Sequence, residues 1–292
     1  YEFADRDWSS DVCSSDLNLW ITEFQTPHLG FSLKVKSSLR IEQTDFQHLA
    51  VVDTEQFGRM LFLDDMVMTS EKDEFFYHEM ITNVALNSHP LPEKVLIIGG
   101  GDGGALREVV KHPQVKSAVL VEIDNRVMQA SKDFFPELSI SFSNPKATVI
   151  TGDGIKYVQT HKDEFDLILI DSTEPLGPSV ELFSQIFYQN AAAALKDDGI
   201  LVAQSGSPLF NDDLIKLAYQ GIKSAFPITK LYLAPVPTYP SGTWSFTIGS
   251  KQHDPENIVH QPVSRLKYYT PAIHKAAFQL PIFVQQILKE EK

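Results

Sequence analysis

The chain has 292 residues, enough for one large α/β unit and a smaller one, and its formal net charge of -13 argues against a nucleic-acid partner, which needs clustered Lys and Arg. No apolar run approaches the roughly 20 residues of a membrane span, so no membrane partner is expected. A single cysteine, Cys13, excludes an internal disulfide, and with no secretion leader visible the expected location is cytoplasmic.

In chain order, the opening stretch "RDWSSDVCSSDL" (6–17) has no apolar periodicity. It looks like a sequencing adapter translated in frame, so residues 1–17 are expected to be a non-native tail outside the fold. From 18 to 72 apolar and polar residues alternate, with Gly58 at a hairpin position, which predicts a small antiparallel β domain of five or six strands. Residues 70–90 then switch to helical spacing. Phe75, Phe76, Met80, Ile81 and Val84 share a face, Ser70 and Asp73 give a capping signal, and Pro90 and Pro92 close the segment. From Lys94 strands (95–98, 118–121, 147–151, 166–170, 199–204, 228–234, 244–249) alternate with helices (104–111, 126–134, 154–160, 182–195, 211–226). This alternation predicts an α/β, Rossmann-like, doubly wound sheet over 73–292. Its last strand follows a turn and is expected to pair antiparallel at an edge.

The first strand of that sheet runs into "GGGDGG" (99–104), where Gly99, Gly101 and Gly104 satisfy the dinucleotide spacing. A nicotinamide cofactor is therefore one reading. Ligands of such sheets bind at the carboxyl ends of the strands, and four successive ends carry carboxylates: Asp102, then Glu122 and Asp124, then Asp153, then Asp171 and Glu174. One acidic strand end is as often a helix cap or a solvated turn; four in succession point to a ligand. A pyrophosphate on this loop would be repelled by Asp102, whereas a cation would be attracted. The loop better suits an adenosine ligand with a positive tail, such as a sulfonium nucleoside. Glu122 is placed for ribose hydroxyls and Asp153 for the adenine amino group.

The stretches "GGGDGGALREVVKHP", "VEID", "GDG", "DSTEPLGP" and "PTYPSG", with "DEFFYHEM" before them and "KYYTPAIHKAAFQLP" near the end, resemble spermidine synthases, the polyamine aminopropyltransferases, of bacterial type. The resemblance implies a methyltransferase-like fold behind an N-terminal β domain. It implies transfer of an aminopropyl group from decarboxylated S-adenosylmethionine to putrescine, giving spermidine and methylthioadenosine. No metal and no other cofactor is implied, and the partner is a second copy, as a homodimer or homotetramer. On the matching positions, Gln47, Gly99, Gly101, Asp102, Glu122, Asp153, Gly154 and Pro178 would hold the donor. Tyr77, His78, Asp102, Asp171, Glu174 and Tyr239 would hold the polyamine, Asp171 would be the base, and 172–181 a lid.

The chemistry of the residues agrees. Putrescine amines titrate near the lysine value of about 10.4, so about one amine in 10³ is free at neutral pH, and a carboxylate that takes the proton lowers the barrier. Asp102 would repel the α-carboxylate of intact S-adenosylmethionine and pair with the amine of the decarboxylated form. Two alternatives stay open beside this reading: a diamine N-methyltransferase using S-adenosylmethionine, and a non-catalytic polyamine-binding protein. His78, Tyr77 and Tyr239 also have plain core roles available, and Tyr268 and Tyr269 read as packing.

Overall fold

The computed structural model describes residues 18–175 and 177–289, with the side chains at 177 and 178 outside the described set; the tail expectation, 1–17, falls outside it as well. The alternating N-terminal pattern folds as five antiparallel strands in sequential order: β1 (Trp20–Thr26), β2 (Leu29–Gln43), β3 (His48–Thr54), β4 (Gly58–Leu63) and β5 (Met66–Ser70). After α1 (Glu74–Ser88) the chain winds through β6 (Lys94–Gly99), α2 (Gly104–Lys111), β7 (Ser117–Glu122), α3 (Asn125–Phe134), α4 (Pro136–Ser139), β8 (Ala147–Thr151), α5 (Gly154–Gln159) and β9 (Phe165–Asp171). It continues through a 3-10 turn, α6 (Gln185–Ala194), β10 (Leu195–Gly206), α7 (Asp212–Ala225), β11 (Ile228–Pro235), β12 (Thr243–Ser250), α8 (Pro271–Ala277) and α9 (Ile282–Ile287).

The second sheet has seven strands in the order β11-β12-β10-β9-β6-β7-β8, parallel from β10 to β8. Its inner strands are continuous apolar runs because both faces are covered. Along β6, Val95 and Ile97 pack under α1 and α2, while Leu96 and Ile98 pack under α6 and α7 with Phe187, Tyr188 and Ile222. The small sheet is joined to the large one by a core of its own: Leu49, Val51, Leu61 and Leu63 meet Val127, Ala130, Phe135 and Leu138 of the α3–α4 region.

Three expectations are corrected. β12 is antiparallel but not at the edge. It inserts between β10 and β11 and is buried from Trp244 to Ser250, leaving the half-buried β11 as the edge. Residues 182–184 precede the helix rather than belong to it, because the Ser184 side chain accepts the Phe187 amide and caps α6. Helix α1 buries nearly its whole circumference rather than one face. Its Glu79 accepts the backbone amides of Lys267, Tyr268 and Tyr269 at 2.7–2.8 Å, which fixes the C-terminal segment over it.

Candidate active site

Successive strands run outward from β6 to β7 and β8, and then the chain returns to place β9 on the other side of β6. The β6–β9 seam is therefore the topological switch point, where such sheets open a ligand crevice. Gly99 pairs with Asp171 across this seam, and the Gly100 amide donates to the Asp171 carbonyl at 2.8 Å. Gly99 has φ +81°, and a Cβ there would lie 2.2 Å from that carbonyl oxygen, so the loop tolerates only glycine. The loop is thus pressed onto the last residue of β9.

One cavity of about 150 Å³ opens at the seam. It is lined by Gln47, Gly99, Gly101, Asp102, Glu122, Asp153, Gly154, Tyr77, His78, Asp171 and Tyr239, so nearly every residue singled out in the sequence meets there. Glu174 lines an adjoining cavity of about 40 Å³ that shares Tyr77 and Tyr239 with the first. The smaller space suits a slim aliphatic chain and not a nucleoside. The side chain of Pro178 lies outside the described residues. Among the described lining residues of both cavities His78 is the one basic side chain.

At the β7 end, Glu122 is buried and accepts the Asp124 amide through Oε1 at 2.8 Å, while burial pushes its carboxyl up to about 7. Asp124 caps α3 and is the tie between the two sheets: its Oδ2 accepts from Thr44 Oγ1 at 2.7 Å and from Gln47 Nε2 at 3.0 Å. Gln47 therefore faces the cavity with its amide oxygen uncommitted. Asp153 caps α5, accepting the Ile155 amide at 2.9 Å through Oδ1 and facing Lys156 with Oδ2 at 3.2 Å. Its capping role and its place in the cavity wall coexist, because a carboxylate offers about four lone pairs.

At the β9 end, Asp171 Oδ1 accepts the Tyr77 hydroxyl at 2.8 Å, and its Oδ2 is buried without a partner. Burial, with Asp102 nearby, pushes the Asp171 carboxyl up to about 6. Asp102 accepts the Gly104 amide through Oδ1 at 2.7 Å and meets His78 Nε2 through Oδ2 at 3.2 Å. Burial opposes its ionisation, but His78 holds it below the usual carboxylate range. The charge of Asp102 is thus partly met within the protein, which its sequence context does not reveal. The Tyr239 hydroxyl donates to the Met68 carbonyl at 2.6 Å, and its ring lies 5.7 Å from that of Tyr77. Burial raises the carboxyl of Glu174.

Two residues with no sequence signal join the smaller cavity. Glu23 of β1 is 6% exposed, and its carboxyl is pushed up to about 7 by burial, with Glu174 adding to the rise. Gln204 of β10 donates to the carbonyls of Ser172 and Thr173 at 3.1 and 3.3 Å and accepts Trp244 Nε1 at 3.1 Å, pinning the segment after Asp171. Elsewhere, His89, Asp198 and His253 cluster at the opposite end of the sheet. The Leu91 amide donates to His89 Nδ1 at 3.1 Å, so Nε2 carries the ring hydrogen and is not free to ligate a metal; it stands 3.5 Å from Asp198 without a hydrogen bond.

These shifts fix a pH response. Glu23, Glu122 and Asp171 hold their protons more tightly folded than unfolded, so their contribution to stability is present below about pH 4 and lost as pH rises through about 6–7. Glu74 acts oppositely: although burial raises it, His78 and Arg107 bring it to about 2, so its contribution holds above about pH 4.5 and is lost only in strong acid. His112 acts the other way, because burial brings its ring to about 4 and its contribution grows as pH rises towards about 6.5, so the test is a difference: from about pH 5 to about pH 8 the melting temperature of ligand-free Glu23→Gln is expected to fall less steeply than that of the unaltered protein. Equal slopes in the two proteins contradict the assignment of Glu23.

A Rossmann-like sheet with an acidic cavity at its switch point, and a narrower second cavity sharing Tyr77 and Tyr239 with it, fits a transferase that moves a group from an adenosine donor to a small cationic acceptor. Residues 74–261 match the family described as Spermine/spermidine synthase domain, and 19–71 match the Spermidine synthase tetramerisation domain. The chain is 54% identical over 270 residues to the polyamine aminopropyltransferase of Desulforudis audaxviator, covering 92% of this chain and 98% of that one. It is 52% identical to that of Bacillus subtilis over 273 residues, 93% of this chain and 99% of that one. Among solved structures, a spermidine synthase in complex with the transition state analogue AdoDATO superposes with a TM-score of 0.88 at 41% identity, covering 92% of this chain and 94% of that one. The spermidine synthase of Thermotoga maritima gives 0.87 at 40% over the same shares. The chain belongs to the spermine/spermidine synthase family, and it is an enzyme of the polyamine aminopropyltransferase type.

Proposed function

We propose that the larger cavity takes decarboxylated S-adenosylmethionine, that the smaller takes putrescine, and that Asp171 is the base where they meet. The observation that carries this is the unpartnered, buried Oδ2 of Asp171 in the wall of the larger cavity, with its Oδ1 bonded to Tyr77, which lines both cavities. The likeness to a spermidine synthase solved with the transition state analogue AdoDATO supports this reaction. Glu122 takes the ribose hydroxyls, Gln47 adds a contact from the small sheet, Asp153 with Gly154 takes the adenine end, and Pro178 belongs to the donor site. Gly99 and Gly101 let the backbone approach the donor. Asp102 accepts the donor's amine with the lone pairs that Gly104 and His78 leave free.

The acceptor ammonium transfers a proton to Asp171, and the freed nitrogen attacks the methylene bonded to sulfur. The C–S bond breaks as the C–N bond forms, and the sulfonium leaves as a neutral thioether. The leaving group needs no acid, and no step calls for a metal. Tyr77 orients the base, His78 orients Asp102, Tyr239 walls the methylenes, and Glu174 holds charge near the far ammonium. On the same reading the chain divides into a β domain, 18–72, and a catalytic domain, 73–292. It works in the cytoplasm as a homodimer or homotetramer, for which the matching tetramerisation domain is the support.

Glu23 and Glu174 at the distal end give the acceptor test. Glu23→Gln is expected to raise the putrescine KM about tenfold or more, the worth of one charge-assisted hydrogen bond, and to leave the donor KM unchanged. An unchanged putrescine KM, or a rise in the donor KM alone, contradicts the assignment of the smaller cavity.

A further inference from the structure

Glu74 and Arg107 stand in the stretches that supply the active site, yet neither lines the larger or the smaller cavity. They act on His78. Its Nδ1 is 2.7 Å from Glu74 Oε2 and its Nε2 is 3.2 Å from Asp102 Oδ2. Nδ1 is hydrogen-bonded to Glu74 and Nε2 stands in ion-pair range of Asp102, so carboxylates on both sides favour the ring as an imidazolium. The ring cannot turn away: it is 2% exposed, and a Cβ on Gly104 would stand 2.2 Å from it. Behind it, the Arg107 guanidinium forks onto Glu74, with Nη1 donating to Oε1 at 3.1 Å and Nη2 to Oε2 at 2.8 Å. Arg107 also donates to Glu108, which Lys111 meets at 2.7 Å. Charge therefore alternates through Asp102, His78, Glu74, Arg107, Glu108 and Lys111, from the cavity wall to the surface.

We propose that Glu74 is a positioning residue for the transfer, held as a carboxylate against His78 by Arg107, so that the ring stays charged, and Asp102 stays turned towards its ligand and does not suppress the ionisation of Asp171. This rests on the reading of Asp171 as base. The groups that face Asp171 are the Tyr77 hydroxyl from α1, Asp102 from the glycine loop, His78, Tyr239 from the loop before β12, and Glu122 from β7. Of these, Asp102 favours the protonated form of Asp171, while His78 and Tyr77 favour the carboxylate. Those facing His78 are Glu74, Asp102 and the edge of Tyr77. With a neutral residue at 74, one of the two carboxylates that hold the ring charged is lost, the imidazolium gives up its proton more readily, and Asp102 acts on Asp171 with less opposition.

The test combines ¹⁵N-histidine spectra with pH–rate profiles of the full chain. In the unaltered protein both ring nitrogens of His78 are expected to stay protonated at about pH 8.5, two units above the ordinary histidine value of about 6.5. Glu74→Gln is expected to shift the acid limb of kcat/KM upward by about one pH unit, about a tenfold loss on that side, with a smaller change on the alkaline plateau. Arg107→Met moves the limb in the same direction, and Arg107→Lys restores part of the loss, because lysine supplies the charge without the fork. A neutral His78 in the unaltered protein at that pH overturns the proposal. So does an unmoved limb in a folded Glu74→Gln or Arg107→Met variant. If neither variant folds, the spectrum of the unaltered protein and the Arg107→Lys profile decide. Asp171→Asn separates the two readings: if it keeps the acid limb of the unaltered enzyme, the base assignment has failed, while the His78 spectrum still reports on the charge chain.

Discussion

Asp171→Asn lowers kcat by about 10²–10⁴-fold, the usual worth of a positioned general base, while the protein still binds methylthioadenosine. Asparagine keeps the size and the contact with Tyr77 but cannot take a proton from the attacking ammonium. Its burial is also why the native carboxylate is suited to the task. A carboxyl pushed up to about 6 stays mainly ionised at neutral pH, yet it is a stronger base than an exposed aspartate. Donor binding is expected to survive because Glu122, Gln47 and Asp153 lie at other strand ends. The checks are single-turnover kinetics and the melting shift induced by methylthioadenosine. Rates within a few-fold of the unaltered enzyme would refute the role, and loss of the melting shift would mean that Asp171 builds the donor site instead.

Gly99→Ala is expected to do comparable damage by a different route. The added Cβ would stand 2.2 Å from the Asp171 carbonyl oxygen, which is held in place by the Gly100 amide at 2.8 Å, and the φ of +81° is itself unfavourable for alanine. Backbone strain of about 1–3 kcal/mol and an overpacking cost of about 1–3 kcal/mol combine against a typical total of about 5–15 kcal/mol. The relief available is displacement of Asp171, and a shift of about 1 Å at a reacting group costs about 10²-fold in rate. Gly242→Ala is the control: its φ is +66°, but nothing lies within 4 Å of the added carbon, so only the backbone strain applies. Equal melting temperatures and equal rates in the two variants would show that the loop does not set the position of Asp171.

The catalytic sheet was legible because its central strands β6, β7 and β9 carry apolar runs that end in a loop of glycine or carboxylate. The strand ends converge whatever the details of packing, which is why Asp102, Glu122, Asp153 and Asp171 could be read together. What escaped depends on segments distant in sequence. Glu23 sits in an alternating strand like its neighbours, and its meaning arises only when β1 folds back so that the Val67 amide donates to it at 3.3 Å near Glu174. His78 reads equally as a core histidine or as a ligand contact until carboxylates from two elements reach both of its nitrogens. β12 was misplaced because a hairpin states that two strands pair, not which of them the rest of the sheet accepts. The full burial of α1 likewise follows from Glu79 gripping a segment about 190 residues onward.

The most direct measurement of the central claim is a mass-spectrometric turnover assay. The purified chain receives decarboxylated S-adenosylmethionine with an equimolar mixture of putrescine, cadaverine, agmatine and spermidine, and intact S-adenosylmethionine is supplied in a parallel arm. The account predicts methylthioadenosine with spermidine as the dominant product in the first arm, and no product in the second. Methylated diamine from the intact donor, with no methylthioadenosine from the decarboxylated one, would contradict it.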